Sequence, residues 1–155
     1  MKKINFLSII LLVAMSLSMV ACSSKDDDEI DLGSFDYPKE LLFGTWKASL
    51  IYYGGKWVAI SEFPQYSMSI TFNKNGSFYG EGYLGNGSGT YRLSGKTITT
   101  YVDSKVYATY NVKSLSGGVA NVTLTIGKES LNMYVANTNY YDGDVINIVT
   151  PPTQK

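Results

Sequence analysis

Tyr66-Ser67-Met68-Ser69-Ile70-Thr71-Phe72-Asn73-Lys74-Asn75-Gly76-Ser77-Phe78 is the stretch that decides the fold. Tyr66, Met68, Ile70 and Phe72 alternate with Ser67, Ser69 and Thr71. A period of two puts the apolar side chains on one face of a strand. Asn73-Lys74-Asn75-Gly76 then reads as a hairpin turn, because Gly76 adopts a positive φ without steric cost. A second strand, from Phe78 to Leu84, follows at once.

The same grammar extends in both directions. Upstream, Phe43 to Tyr53 alternates, with Trp46, Ala48, Leu50 and Tyr52 expected on one face and Thr45, Lys47, Ser49 and Ile51 on the other. Gly54-Gly55 breaks this run and Trp57 to Ile60 resumes it; Tyr37 to Leu42 holds one helical turn, with Pro38 near its start. Downstream, strands are expected over Gly89 to Leu93, Thr97 to Val102, Val106 to Val112, Val119 to Ile126 and Leu131 to Ala136. Gly85-Asn86-Gly87-Ser88, Gly95-Lys96, Ser104-Lys105, Gly117-Gly118 and Lys128-Glu129 separate them. Short spacing and no long helical period indicate an all-β chain. Short turns pair sequence neighbours as hairpins, and a meander of about eight strands closes into an antiparallel up-and-down β-barrel. A Greek-key sandwich needs longer crossovers than these turns provide.

Four segments, taken in order, carry a family resemblance. Leu42-Phe43-Gly44-Thr45-Trp46 resembles the Gly-x-Trp start of lipocalin-like barrels. Ile70 to Phe78 resembles the strand-turn-strand signature of bacterial lipocalin-like lipoprotein domains, and Ser88-Gly89-Thr90-Tyr91 and Gly95-Lys96-Thr97-Ile98 continue it. The resemblance runs from Leu41 to Asn137 and implies that Trp46 plugs one end of the barrel. The later Thr-Asp-Tyr motif of lipocalins has no counterpart, and Arg92, the only arginine, lies mid-chain.

The N-terminus reads as an address. Lys2 and Lys3 precede the mostly apolar run Ile4 to Val20, which ends in small residues. These are the marks of a secretory signal. The run is at the short limit for a membrane span of about 20 residues, and carboxylates follow it, which disfavours a permanent helix. Met19-Val20-Ala21-Cys22 resembles the bacterial lipobox, which implies that the Cys22 thiol is acylated and becomes the first mature residue. Lys25, Asp26, Asp27 and Asp28 resemble the export signal of Bacteroidota surface lipoproteins. The resemblance implies a lipid-anchored protein on the outer face of the outer membrane, with the membrane as a partner through its anchor. The same carboxylates repel one another and suit a solvated tether. A calcium loop needs spaced ligands and a glycine that Asp26 to Asp31 lacks. The expected organisation is a signal peptide over residues 1–21, an acidic tether over 22–36, a barrel over 37–140 and a strand or tail over 141–155.

Composition excludes several functions. Residues 22–155 hold 11 basic and 13 acidic side chains. Beyond Leu41 the basic ones stand singly, so no stripe marks a nucleic-acid partner. With no histidine in the chain, Ser-His-Asp and Cys-His systems and the usual zinc sites are ruled out. Cys22 is the only cysteine, so the domain depends on its apolar core and not on disulfides. Glu62, Glu81, Asp103 and Glu129 share no evident face, so no paired-carboxylate chemistry is supported. No catalytic residue, metal or cofactor is expected, and the chain is not read as an enzyme.

The binding candidates are Tyr52, Met68, Ile70, Phe78, Glu81 and Tyr91. All but Glu81 are expected to point into the barrel with Phe72 and Leu93, where eight strands enclose either packed side chains or one small ligand. Gly80, Gly82 and Ala108 are small enough to leave room. Glu81 lies between Gly80 and Gly82, either to let a ligand or another backbone approach or simply as an outward carboxylate on a bent strand. All 13 tyrosines follow the signal, and Tyr52, Tyr53 and Trp57 around Gly54-Gly55 form a candidate glycan surface. Two roles are open. One is a surface lipoprotein binding a small apolar or glycan-derived ligand, which calls for a cavity of roughly 300 Å³ or more. The other is a filled barrel acting as a structural or protein-interaction module, an accessory subunit or an inhibitor. Val145-Ile146-Asn147-Ile148-Val149 is read as a closing strand or a docking tail.

Overall fold

A computed structural model describes residues 30–140. Among them, ten strands form one sheet: β1 (Gly33–Phe35), β2 (Gly44–Tyr53), β3 (Lys56–Ala59), β4 (Met68–Phe72), β5 (Ser77–Gly82), β6 (Gly87–Gly95), β7 (Thr97–Val102), β8 (Lys105–Ser116), β9 (Val119–Ile126) and β10 (Glu129–Asn137). The hairpin around Asn73–Gly76 is β4–β5, with Phe72 opposite Phe78 and Gly76 at φ +85°.

Eight strands close the barrel. From β4 through β10 each pairs antiparallel with the next, and β10 returns to pair antiparallel with β2, whose other neighbour is β4. This is the expected up-and-down ring without crossovers. Two short strands stand outside it. β3 pairs with the far half of β2, taking over at Leu50–Tyr53 where β4 has ended. β1 runs parallel to β6 along Leu93–Gly95, beyond the part of β6 that β5 occupies. Residues 33–35, expected in the tether, therefore belong to the sheet. Leu32 carries them there: it is buried in the core and its carbonyl accepts from the Leu93 amide. The signal, Cys22, Lys25, Asp26, Asp27, Asp28 and the 141–155 segment lie outside the described residues.

One end of the barrel is closed by side chains. A 3-10 turn over Lys39–Leu41 leads to buried Leu42, whose carbonyl accepts the Trp46 indole N–H at 2.6 Å. Asn137 stands opposite Trp46 and is fully buried. Its amide donates to the Phe43 carbonyl at 3.0 Å and its Oδ1 accepts from the Asn139 amide at 2.9 Å. Asn137 thus ties β10 to the lead-in of β2, at the level of the tryptophan. Gly44 permits this closeness: at φ +117°, a Cβ there would lie 2.5 Å from Asn139 Nδ2.

The expected alternation of β2 fails halfway, and a bulge is the cause. The register with β10 slips between Tyr134 and Val135, so Leu50 pairs with Tyr134 but Ala48 with Val135. Ser49 is the extra residue, and one extra residue inverts the faces beyond it. Ile51 therefore points into the core and Tyr52 points out, 41 % exposed. The expectation that Tyr52 lines the interior is corrected by this inversion.

Candidate ligand-binding site at the open rim

Among the described residues, the void inside the barrel is small. Met68 and Ile70, two of the expected binding residues, do line it, with Trp46, Phe72, Tyr110 and Val122 among their neighbours. That void measures about 30 Å³, far below the roughly 150 Å³ of an apolar cavity that takes a benzene-sized ring. Tyr91 is packed rather than poised. Its ring meets Phe72 at 4.9 Å, and its hydroxyl donates to the Asn73 carbonyl at 2.7 Å. Burial pushes the Tyr91 phenol up to about 12, and it pushes Tyr110 up further. Loss of solvation disfavours the phenolate, so both rings are neutral structural groups at physiological pH.

The larger space lies at the end opposite Trp46. There β5 passes to β6 through Tyr83-Leu84-Gly85-Asn86. The turn is tied by the Gly85 amide to the Gly82 carbonyl at 2.8 Å and by the Tyr83 amide to the Ser67 carbonyl at 2.8 Å. Leu84 folds inward and is 3 % exposed. Gly80 makes its seat, since a Cβ there would lie 3.3 Å from Leu84 Cδ1. Gly82 serves the backbone: its φ is +76° and a Cβ would meet the Ser67 carbonyl oxygen at 2.3 Å. Other protein groups approach both glycines closely, and the reading of Glu81 as an outward carboxylate fits as well. Glu81 itself stands exposed.

A second bulge completes the rim. The β7–β8 register slips so that Thr100 faces Ala108 and Tyr101 faces Val106, leaving Tyr107 as the extra residue. Bulges re-aim side chains, and here the Tyr107 hydroxyl donates to the Leu84 carbonyl. The bulge is braced from inside. Thr100 Oγ1 accepts from the Ala108 amide at 3.1 Å and donates to the Ala108 carbonyl at 3.0 Å. Between the turn and the bulge lies a pocket of about 140 Å³, walled by Phe78, Gly80, Leu84, Gly87, Val102 and Tyr107, with Asn86 as a polar member. Of the residues singled out from sequence, Phe78 and Gly80 are here. The other wall residues had only a faint signal, an apolar leucine inside a glycine-rich turn.

Aromatic side chains continue around the same end. Two 3-10 turns, Ile60–Glu62 and Pro64–Tyr66, present Phe63 and Tyr66. Tyr53 meets Phe63 at 4.7 Å between centroids, and Tyr66 meets Tyr83 at 5.3 Å. The Tyr83 hydroxyl donates to Glu129 Oε2 at 3.1 Å. Partial burial, then that carboxylate, raises the Tyr83 phenol above its ordinary value. The expected cluster of Tyr52, Tyr53 and Trp57 is split. Successive strand residues face opposite ways, so Tyr53 joins the rim while Tyr52 meets Trp57 at 5.4 Å on the other face.

Comparison with known proteins adds one finding. A family model described as a lipocalin-like domain matches residues 42–119, the span from the closed end through the β8–β9 turn. No curated protein and no solved structure matches the chain.

Proposed function

The chain belongs to the lipocalin-like domain family, and from that premise we propose that it is a lipid-anchored binding protein whose small ligand seats at the open rim, not deep in the barrel. One observation carries the reading: about 140 Å³ is open at the rim against about 30 Å³ inside. An apolar cavity of about 150 Å³ takes a benzene-sized ring, while drug-sized ligands occupy roughly 300 Å³ or more. The ligand class is therefore a molecule with one ring-sized apolar face, aromatic or glycan-derived. Phe78, Leu84 and Val102 contact that face. Asn86 and the Tyr107 hydroxyl, which can still accept a hydrogen bond, meet its polar edge. The role is binding, not catalysis.

Gly87 offers the test. It is cross-paired with Gly80, its φ is not positive, and a Cβ there meets nothing within 4 Å. Gly87→Phe fills the pocket without backbone strain. A ring-sized compound found by NMR fragment screening is expected to bind the parent and to lose at least about tenfold in affinity in the variant, the loss of roughly 1.4 kcal/mol of contact. The melting temperature should not move. Equal binding by both proteins, or no compound that shifts rim resonances, overturns the rim site.

The anchor rests on sequence: the signal, the Met19-to-Cys22 lipobox and the Lys25-to-Asp28 tether. Each buried methylene contributes about 0.8 kcal/mol, so a multiply acylated Cys22 holds the barrel on a bilayer without a spanning helix. The tether sends it to the outer face of the outer membrane. Intact mass of protein extracted from its own membranes is expected to show acyl chains on a chain beginning at Cys22; an unmodified N-terminus refutes this.

The filled interior favours a second reading, a module that works through its outer surface as an accessory subunit or inhibitor. A fragment screen that leaves the rim silent, with one protein recovered repeatedly by cross-linking on cells, selects it.

A further inference from the structure

The turn that walls the rim pocket also crosses the mouth of the barrel. Tyr83-Leu84-Gly85-Asn86 joins β5 to β6 at the open end. Around the ring, β7 and β8 separate this hairpin from β9–β10 on one side, and β4 and β2 separate them on the other. The β5–β6 and β9–β10 turns therefore face each other across the mouth. Glu129, the first residue of β10, accepts the Tyr83 hydroxyl at 3.1 Å, so this bond spans the opening. From β8 the Tyr107 hydroxyl reaches over β7 to the Leu84 carbonyl. Between the two ties, the Leu84 side chain is buried in the core cluster.

The turn is stiff within and lightly held at its base. The Gly85 amide donates to the Gly82 carbonyl at 2.8 Å, and the Gly82 amide donates to Asn86 Oδ1 at 3.3 Å. These bonds stay inside the turn and move with it. Beyond the strand ladders, the turn is tied to the barrel by the two phenol bonds and by the Tyr83 amide, which donates to the Ser67 carbonyl at 2.8 Å. Gly82, at φ +76°, stands where the turn leaves β5. A few residues at the end of an element are enough to absorb a lid motion.

We propose that Tyr83–Asn86 is a latch hinged at Gly82 and held shut by the Tyr83–Glu129 and Tyr107–Leu84 bonds, and that lifting it withdraws Leu84 and adds the space Leu84 fills to the rim pocket. The shut form takes one ring-sized apolar face. The open form takes an apolar molecule of two or more rings. The enlarged site rests on the rim reading above, whereas the latch is measured without any ligand.

Amide hydrogen exchange on the full chain tests the latch. Tyr83→Phe keeps the ring and deletes the hydroxyl. Exchange of the residue 83 amide, which is bonded to Ser67 only while the turn is down, is expected to quicken about fivefold, the effect of one hydrogen bond of ordinary net strength. The Gly85 amide inside the turn and the Leu93 and Val112 amides toward the closed end keep their rates. Glu129→Ala removes the acceptor from the opposite side and has the same effect, with no further gain when the two are combined. An unchanged rate at residue 83, additive effects or faster exchange throughout the barrel overturns the latch. The dye anilinonaphthalene sulfonate, with a fused ring pair and a phenyl ring, is too large for a cavity that takes one benzene-sized ring. Its affinity for Tyr83→Phe is expected to rise by the same factor of about five, because a ligand of the open form gains in proportion to that form's population. Faster exchange with unchanged dye affinity overturns the enlarged site. Failure of the Gly87→Phe test with one-ring compounds leaves the exchange result as it is, so the two readings fail separately.

Discussion

Gly89→Ala is expected to lower stability by about 3 kcal/mol, the upper part of the range for an overpacked interior site. Gly89 lies in β6 opposite Phe78 of β5. On its other side β7 approaches so closely that a Cβ would lie 1.9 Å from the Tyr101 carbonyl oxygen, and 2.8 Å from Phe78 Cε1. Neither neighbour can yield easily. The Tyr101 carbonyl is main chain beside the Tyr107 bulge, and Phe78 is packed in the core. Relief requires β6 and β7 to part at the rim, which also opens the pocket wall at Val102. Urea denaturation checks this: with a slope of about 1.5 kcal/mol per molar, the midpoint falls by about 2 M. A shift below about 0.3 M would mean that the two strands separate at little cost. Gly87→Ala, two residues away with open space, serves as the control and is expected to be nearly neutral.

Trp46→Ala is expected to be more damaging still. Trp46 is 2 % exposed and closes the barrel opposite the rim. Truncating a buried tryptophan costs about 3–5 kcal/mol, because the cavity collapses only partly. The Leu42 carbonyl also loses its indole donor, and an unsatisfied buried acceptor adds about 1–3 kcal/mol. Together these approach the whole stability of a typical domain, about 5–15 kcal/mol. Trp46→Phe separates the contributions: it keeps most of the ring and deletes the hydrogen bond, with an expected loss of about 1–3 kcal/mol. Equilibrium unfolding followed by far-UV circular dichroism gives both values. Equal losses in the two variants would assign the role to the hydrogen bond alone.

Most of the barrel was legible in the chain. The strands over Thr97–Val102 and Val119–Ile126 have the expected bounds, the other expected strands differ by a few residues at their ends, and Gly33–Phe35 was not expected as a strand. Alternating apolar residues and glycine turns are local signals, and hairpins are local structures, so the meander follows from sequence order. The plugging role of Trp46 was legible too, through the family resemblance. What stood at its level was not: Asn137 reads as a polar residue at a strand end and is buried because its two hydrogen bonds are satisfied there.

The binding residues were less legible, and the bulges explain why. Nothing local marks Ser49 or Tyr107 as an extra residue; a bulge exists only relative to the partner strand. The first sends Tyr52 outside, and the second aims Tyr107 at Leu84. Interior volume is likewise a property of the assembled ring. Met68, Ile70 and Tyr91 do face inward, but Tyr110 and Trp46 reach across from other strands and, with Phe72, fill the space between them.

Sequence alone determined the order of the strands and their antiparallel hairpin pairing from β4 to β10, since each hairpin depends on residues close together in the chain. Tertiary structure decided the filled interior, the rim pocket between Leu84 and Tyr107 and the recruitment of Gly33–Phe35 into the sheet. Those depend on register, on bulges and on contacts between strands far apart in sequence, which no local pattern of residues encodes.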